Sequence, residues 1–574
     1  MLDLEVFNHE QQRAILATDG PMVIVAGPGT GKTKTLTARM AHLCEIGVNP
    51  SEVLALTFTK KAAEEMRSRI AIVVPKAQPK VSTFHALCYE LLGGSLPFIE
   101  EAARLALIKD LKKAADLKTI TTRELALEIS RVKNLPIGES TPDTAIAALV
   151  VRYNQALANK HLCDFDDLLR LAHQKLQEQQ LPYRYILVDE FQDTNLLQYQ
   201  LLQLLNTTNN ICVIGDPLQS IYGFRGASGT IFEQFKTDFP DYQEVTLTTN
   251  YRSAPEITKL SNALFAEAPQ LHAHSTTKGE VQAVQVLNEY GEAQWIITQI
   301  ESALGGTDFL RSHTVGQSDQ HCQFQDFAVL YRTHQTAKVT QRLLSESGIP
   351  YQIVGEGSPY EQPTVATIIA VVRAVVEGIE IEPPKGFTAG QWQVIRTSLL
   401  SHKDENLSEL CAQIITALGI EIDQTVRQFT NSLVRFKQAG PKAFLCYVDE
   451  IAEQGFYDPH ADAVTLLTIH AAKGLEFRHV FLIGAEEEIL PHKRVLKEET
   501  ADEEKRLFYV AATRAKEKLD ILHTNTRAGH QSNTSRFVTE LPEAIMPRTI
   551  DPQMATQITQ RKKRQQKRAQ TSLF

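Results

Sequence analysis

Residues 26–33 read Ala-Gly-Pro-Gly-Thr-Gly-Lys-Thr, a turn-rich loop that leaves the β run Val23–Ala26 and opens a helical stretch at Lys32. In that strand–loop–helix setting, glycines let backbone N–H groups converge on a phosphate at a helix N-terminus. Lys32 would neutralise the β and γ oxygens of a nucleotide and Thr33 would hold Mg2+, with Ala26, Gly27, Pro28, Gly29, Thr30, Gly31 and Lys34 completing the cradle. A second pair of groups suits the same chemistry. Tyr185–Val188 has a buried-strand pattern, and Asp189 and Glu190 follow at its C-terminal end, where ligands of parallel sheets bind. Asp189 can share the Mg2+ shell with Thr33, and Glu190 can orient and deprotonate the attacking water. An isolated Asp-Glu pair is ordinarily a solvated turn; a phosphate loop upstream makes it half of a hydrolytic site.

Such loops need strands to carry them. Short β-rich runs recur at Val23–Ala26, Val53–Leu56, Tyr185–Val188, Cys212–Ile214, Val245–Leu247, Ala328–Tyr331, Val464–Ile469, Val480–Ile483 and Leu519–Leu522. Helical stretches alternate with them, which predicts doubly wound α/β units with parallel sheets. Two stretches, from about Ala86 to Leu181 and from about Glu377 to His460, are mostly helical in pattern and read as insertions. At 574 residues the chain exceeds one core, and its length suggests about three or four domains.

Composition excludes several classes. Hydrophobic residues make up 43% and charged residues 22%, and apolar runs such as Met22–Ala26 are too short to cross a bilayer. The acidic, polar start MLDLEVFNHEQQ has no signal-peptide pattern, so a cytoplasmic protein is expected. The seven cysteines are scattered without a Cys-x-x-Cys pair, which argues against zinc or iron–sulfur ligation and for reduced thiols. A net charge of −9 gives no general basic surplus, so any nucleic-acid contact must be local. From about Pro547 the chain is poor in apolar residues and carries the basic run Arg561–Arg568, the pattern of a disordered tail.

Further segments carry a resemblance. They are Phe7-Asn-His-Glu-Gln-Gln-Arg-Ala14, Thr57-Phe-Thr-Lys-Lys-Ala-Ala63, Thr83-Phe-His85, Asp164-Phe-Asp-Asp-Leu168, Val188-Asp-Glu-Phe-Gln-Asp-Thr194 and Gly215-Asp-Pro-Leu-Gln-Ser-Ile-Tyr-Gly-Phe-Arg-Gly-Ala227. Asn250-Tyr-Arg-Ser253, Ala328-Val-Leu-Tyr-Arg332, Thr468-Ile-His-Ala-Ala-Lys-Gly-Leu-Glu-Phe477 and Tyr509-Val-Ala-Ala-Thr-Arg-Ala515 follow in order. With the phosphate loop, this series resembles superfamily 1 DNA helicases of the UvrD/Rep type over nearly the whole chain. The resemblance implies two RecA-like P-loop NTPase lobes with parallel sheets, at 1–86 with 182–260 and at 261–376 with 461–546. Helical insertions would occupy 87–181 and 377–460, and a basic tail 547–574. It further implies that Gln11 recognises adenine, Tyr251 stacks on it, Glu476 contacts the ribose, and Gln192 and Gln219 sense the γ-phosphate. Arg252 and Arg514 would reach that phosphate from the second lobe, where planar guanidinium groups stabilise the charge of phosphoryl transfer.

The same resemblance assigns Phe58, His85, Tyr222, Phe224 and His470 to a single-stranded DNA groove, with Thr57, Thr59, Thr83 and Arg225 on its backbone. Stacking on such rings is worth about 1–3 kcal/mol per base. Phe224 stands where the family usually carries tryptophan, so it offers a smaller ring. Translocation is implied to run 3′ to 5′, with ATP and Mg2+ as cofactors and single-strand/duplex junctions as substrates, in DNA repair or replication near the nucleoid. The second insertion is shorter than in larger relatives and lacks a Gly-Ile-Gly turn, which admits a translocase that displaces proteins with little unwinding. No RecB-type nuclease domain is expected after the last motif. Gln570-Thr-Ser-Leu-Phe574 is similar to the bacterial sliding-clamp-binding pentapeptide: Leu573 and Phe574 would enter an apolar pocket and Gln570 would set register. A clamp-tethered protein that uses ATP only as a switch is the remaining alternative.

Overall fold

The computed structural model describes residues 2–75, 78–138, 145–223, 226–227, 229–305, 322–355, 360, 362–401, 406–436, 440–453, 457–493, 501–552 and 554–555. The chain divides into two compact units, Met1–Glu280 with Arg494–Glu517 and Val281–Lys493 with Lys518–Phe574.

In the first unit, β1 (Met22–Ala26), β2 (Val53–Thr57), β3 (Lys80–Thr83), β4 (Tyr185–Val188), β5 (Ile211–Gly215) and β6 (Gln243–Leu247) form a sheet ordered β3-β2-β4-β5-β1-β6. Every pairing in it is parallel. Runs such as Met-Val-Ile-Val-Ala are continuously apolar because helices cover both faces. Ile24 and Ala26 pack with Leu36 and Met40 of the helix Lys32–Glu45, while Val23, Leu56 and Val188 pack with Leu168, Leu169 and Leu202. Register places Val25 beside Gly215 and Val188 beside Val213. The strand ends that lead to the loop at 27–31, to Asp189 and to Asp216 therefore lie together.

Helices Glu101–Ala114, Thr122–Lys133 and Ala145–Asn159 surround a core of their own that includes Ile108, Ile129 and Tyr153. This body is narrower than the expected insertion at 87–181. The flanking helices Phe84–Leu91 and Phe165–Glu178 bury Leu87, Leu168 and Leu169 in the sheet's core instead. Helix Ala501–Ala512 packs on helix Pro255–Leu264 and on the turn Pro217–Gln219, which joins 494–517 to the first unit although the sequence places that segment in the second lobe. A small parallel pair, β7 (Thr249–Asn250) and β8 (His272–Ala273), completes this unit.

The second sheet contains β9 (Glu280–Val286), β10 (Phe327–Tyr331), β11 (Tyr351–Val354), β12 (Val464–Thr468), β13 (Phe477–Leu482), β14 (Ala515–Thr524) and a last strand at Arg548–Ile550. A two-stranded hairpin of β15 (Thr526–Arg527) and β16 (His530–Gln531) precedes that last strand, β17. The order is β11-β12-β10-β13-β14-β9-β17. A second helical body begins at Pro363–Glu377, ahead of the expected boundary, and continues through Gly440–Glu453. The first of its helices spaces Val365, Ile368, Ile369 and Val372 along one face. That face shares a core with Trp392, Leu410, Ile414, Phe429 and Phe444. Among the described residues no helix is long and apolar enough to cross a membrane.

Candidate functional site

The phosphate loop is held by groups beneath and beside it. Gly29 has φ +71° and Gly31, which caps the helix Lys32–Glu45, has φ +84°. A Cβ on Gly29 would lie 2.6 Å from both Arg252 Cβ and Asn250 Oδ1, and one on Gly31 would lie 2.9 Å from Gln11 Nε2. Handedness and space thus both demand glycine. Thr30 Oγ1 donates to the Gly27 carbonyl (2.8 Å), and Lys32 Nζ donates to the carbonyls of Ala26 (3.3 Å) and Gly27 (3.4 Å). Pro28 is buried, and Ala26, fully buried, serves the sheet core with its methyl group.

The acidic side faces that lysine. Thr33 Oγ1 donates to Asp189 Oδ2 at 3.3 Å. Burial raises the Asp189 carboxyl above the ordinary range and the charge of Glu190 adds to this, while Lys32 and Thr33 oppose it. Glu190 has φ +49° and ψ +45°, the left-handed region, a strained conformation for a residue with a Cβ. Gln192 connects the two strand ends: its Nε2 donates to Glu190 Oε2, and its Oε1 accepts the Asp216 N–H at 2.9 Å. Gln219 Nε2 donates to Asp216 Oδ2 (2.8 Å), and Arg514 Nη2 donates to Gln219 Oε1 (3.3 Å). Arg514 is 1% exposed and is steadied by the Val510 carbonyl and Thr513 Oγ1. Burial also raises Asp216, against the pull of Lys32. Arg252 and Arg514, expected from the second lobe, both fall in the compact unit that holds the loop.

On the base side, Gln11 is 2% exposed and its amide is engaged: Oε1 accepts the Asn8 N–H (3.2 Å) and Nε2 donates to the Thr30 carbonyl (3.0 Å). Tyr251 is 43% exposed, donates its backbone N–H to the Gly29 carbonyl (2.8 Å), and lies 4.8 Å from the His274 ring. Asn8 Nδ2 donates to its hydroxyl at 3.0 Å. Lys34 turns towards the N-terminal segment, with Nζ donating to the Val6 carbonyl (3.2 Å) and lying over the Phe7 ring. Glu476 is exposed just before β13 and His470 half-buried just after β12, both in the second unit.

The expected strand-facing residues divide. Phe58 and Tyr222 stack with centroids 5.6 Å apart and planes 12° apart. The half-buried His85 meets the ring of Phe165, 65% exposed, edge-on at 6.3 Å, and Phe165 stacks on Phe98 at 5.0 Å. Burial lowers the His85 pKa, against the pull of the Asp166 charge. Thr57 is 1% exposed and donates its hydroxyl to the Thr59 carbonyl, because β2 carries it into the core. Thr59 and Thr83 cap helices, accepting the N–H groups of Ala62 and Ala86. Phe224, Arg225, Gln570, Leu573 and Phe574 lie outside the described residues.

Comparison with known proteins gives this geometry a context. The UvrD/REP helicase N-terminal domain matches residues 7–240, and the UvrD-like helicase C-terminal domain matches 245–379 and 398–526. The chain belongs to the UvrD/Rep helicase family. It is similar to "ATP-dependent DNA helicase PcrA" of Bacillus subtilis (strain 168), at 29% identity over 99% of this chain and 90% of that protein. It is similar also to "ATP-dependent DNA helicase Rep" of Buchnera aphidicola subsp. Baizongia pistaciae, at 28% identity over 94% of this chain and 95% of that protein.

For a UvrD/Rep helicase, the structure adds site residues that the motif strings contained without marking. Asn250 is 1% exposed, and its Oδ1 accepts the N–H groups of Arg252 (2.8 Å) and Ser253 (2.9 Å) beneath Gly29. Asp216 joins Gln192 and Gln219. Phe165 was legible as the apolar residue between two acids; an exposed aromatic beside a helix cap was the available signal. His274 lies outside every string and carried none.

Proposed function

We propose that the chain is an ATP-dependent DNA helicase that translocates 3′ to 5′ along single-stranded DNA. The observation that carries this reading is the convergence of Lys32, Thr33, Asp189, Glu190 and the chain Arg514–Gln219–Asp216 on the ends of adjacent parallel strands. Lys32 balances charge on the nucleotide's phosphates, Glu190 accepts the proton of the attacking water, and Gln192 sets the carboxylate's orientation. Arg514 and Arg252 offset charge as the phosphoryl group leaves. The Thr33 hydroxyl and the Asp189 carboxylate, 3.3 Å apart, are hard oxygen donors of the number Mg2+ takes from protein. When bound, that ion neutralises phosphate oxygens. Phe58, Tyr222, His85 and Phe165 supply ring faces for bases.

The test is ATPase activity with and without poly-dT or poly-U, together with strand displacement on duplexes bearing a 3′ or a 5′ tail. Absent stimulation by poly-dT would refute the DNA motor, and displacement only from the 5′ tail would refute the polarity. The helical body at 363–453, five α-helices among the described residues, favours a second reading. A compact body offers little surface for duplex, so the protein would strip bound proteins from single strands and unwind poorly. Robust ATPase without displacement would select it. We place the activity in repair or replication near the nucleoid, with a sliding clamp captured by Gln570, Leu573 and Phe574. Loss of clamp co-purification on deleting Gln570–Phe574 checks that tether.

A further inference from the structure

Asn195 stands where three parts of the first unit meet. Behind it runs the segment that leaves Glu190, a single tight turn in which the Asp193 N–H donates to the Glu190 carbonyl (2.9 Å) and the Thr194 N–H to that of Phe191 (3.0 Å). On one side, its backbone forms a bridge with Ala227. The Ala227 N–H in turn donates to the carbonyl of Tyr222, the residue stacked on Phe58. On the other side, its Nδ2 donates to Asn134 Oδ1 at 3.2 Å, across 61 residues of sequence. Asn134 Nδ2 donates to Asp166 Oδ1 at 2.7 Å, and Ser130 Oγ donates to the same oxygen at 2.9 Å. Asp166 adjoins Phe165, whose exposed ring meets His85.

We propose that Asn195, through Asn134, is a positioning residue that couples occupancy of the strand-facing rings to the placement of Glu190 and Gln192, and so sets how strongly single-stranded DNA stimulates ATP hydrolysis. The inference rests on the helicase reading above. A relay of amides between packed elements carries a displacement because breaking it leaves buried donors and acceptors unpaired. Capping alone does not account for the residue. Asn195 Oδ1 accepts the Gln198 N–H (2.8 Å) at the start of helix Leu196–Leu205, but a cap needs only that acceptor, and aspartate serves as well. The Nδ2 donor aimed at Asn134 is additional.

Asn195→Asp separates the two roles, since it retains the cap and removes the donor. In the full chain, basal ATPase and the poly-dT concentration for half-maximal stimulation should stay near wild type, and the thermal midpoint should fall by no more than the few degrees that one lost part-buried hydrogen bond implies. Maximal stimulation should fall about five- to tenfold, the size expected of a coupling residue. Asn134→Ala should do the same, and the double variant should be no worse than either single one. Full stimulation in Asn195→Asp would overturn the relay, as would a parallel fall in basal and stimulated rates. If the wild-type chain itself shows no poly-dT stimulation, the helicase reading fails and the relay with it.

Discussion

Replacing Lys133 by methionine removes a buried ammonium from the acidic cluster at the start of the helix Phe165–Glu178. The ammonium is 1% exposed and lies 2.7 Å from both Asp164 Oδ1 and Asp167 Oδ1. The Tyr153 hydroxyl donates to Asp164 Oδ2 at 2.9 Å. Burial pushes the Asp164 carboxyl up, but Lys133, Tyr153 and Asp167 together outweigh it and hold the group below its ordinary range. Asp167 stays raised, by burial first and then by the charge of Asp164, although Lys133 pulls the other way. Removing one partner of a buried ion pair costs about 3–5 kcal/mol, and methionine of similar length leaves little cavity to add to that. The pH dependence has a definite sign. In the wild type, the depressed Asp164 contributes stability above its unfolded pKa and loses it as pH falls through the folded value. Without Lys133 burial dominates both acids, so the deficit is largest at alkaline pH and shrinks as acid protonates the cluster. Urea unfolding at pH 8 and pH 5.5, followed by intrinsic fluorescence, measures both quantities. Asp164→Asn in the same background keeps the helix cap and should recover part of the loss. A deficit below about 1 kcal/mol, the size of an exposed pair, or one that grows on acidification, would refute the reasoning.

Four further outcomes are expected. Glu190→Gln should lower stimulated kcat about 10²–10⁴-fold while nucleotide binding, followed with a fluorescent ATP analogue, persists. Arg514→Ala should cost about 10³-fold or more in kcat, and since the arginine also holds Gln219, Gln219→Ala should be less than additive with it in a double-variant cycle. Gly29→Ala introduces a Cβ 2.6 Å from Arg252 and Asn250 at a positive φ, so the KM for ATP should rise without loss of single-strand affinity. Phe165→Ala should weaken binding of a dT oligonucleotide by about 1–3 kcal/mol in fluorescence anisotropy, with the salt slope unchanged because no charge is removed.

Strands covered on both faces were plain in the sequence because burial leaves nothing polar to interrupt them: β1, β2, β4 and β5 read directly as apolar runs. Edge strand β3, Lys-Val-Ser-Thr, is short and half polar, and β11, Tyr-Gln-Ile-Val, is only part-buried, so neither stands out from a loop. β9, Glu-Val-Gln-Ala-Val-Gln-Val, alternates only as far as Ala283 and shifts phase at Val284, where two buried residues are consecutive, so no single period marks it. The limits of the helical bodies were hidden because helices that pack on a sheet and helices that pack on one another have the same periodicity. Thr57 has the right type for a phosphate contact, and only its place in β2 shows that it is buried.

By itself the sequence determined the chemistry: a phosphate loop needs glycines, a lysine and a hydroxyl in consecutive positions, and a hydrolytic acid pair needs the end of a buried strand, so both requirements are written locally. Tertiary structure alone decided which groups serve that chemistry from a distance. Asn250 lies beneath Gly29, Asp216 between Gln192 and Gln219, and Asn134 against Asn195. A hydrogen bond depends on separation in space of about 3 Å and is indifferent to separation along the chain.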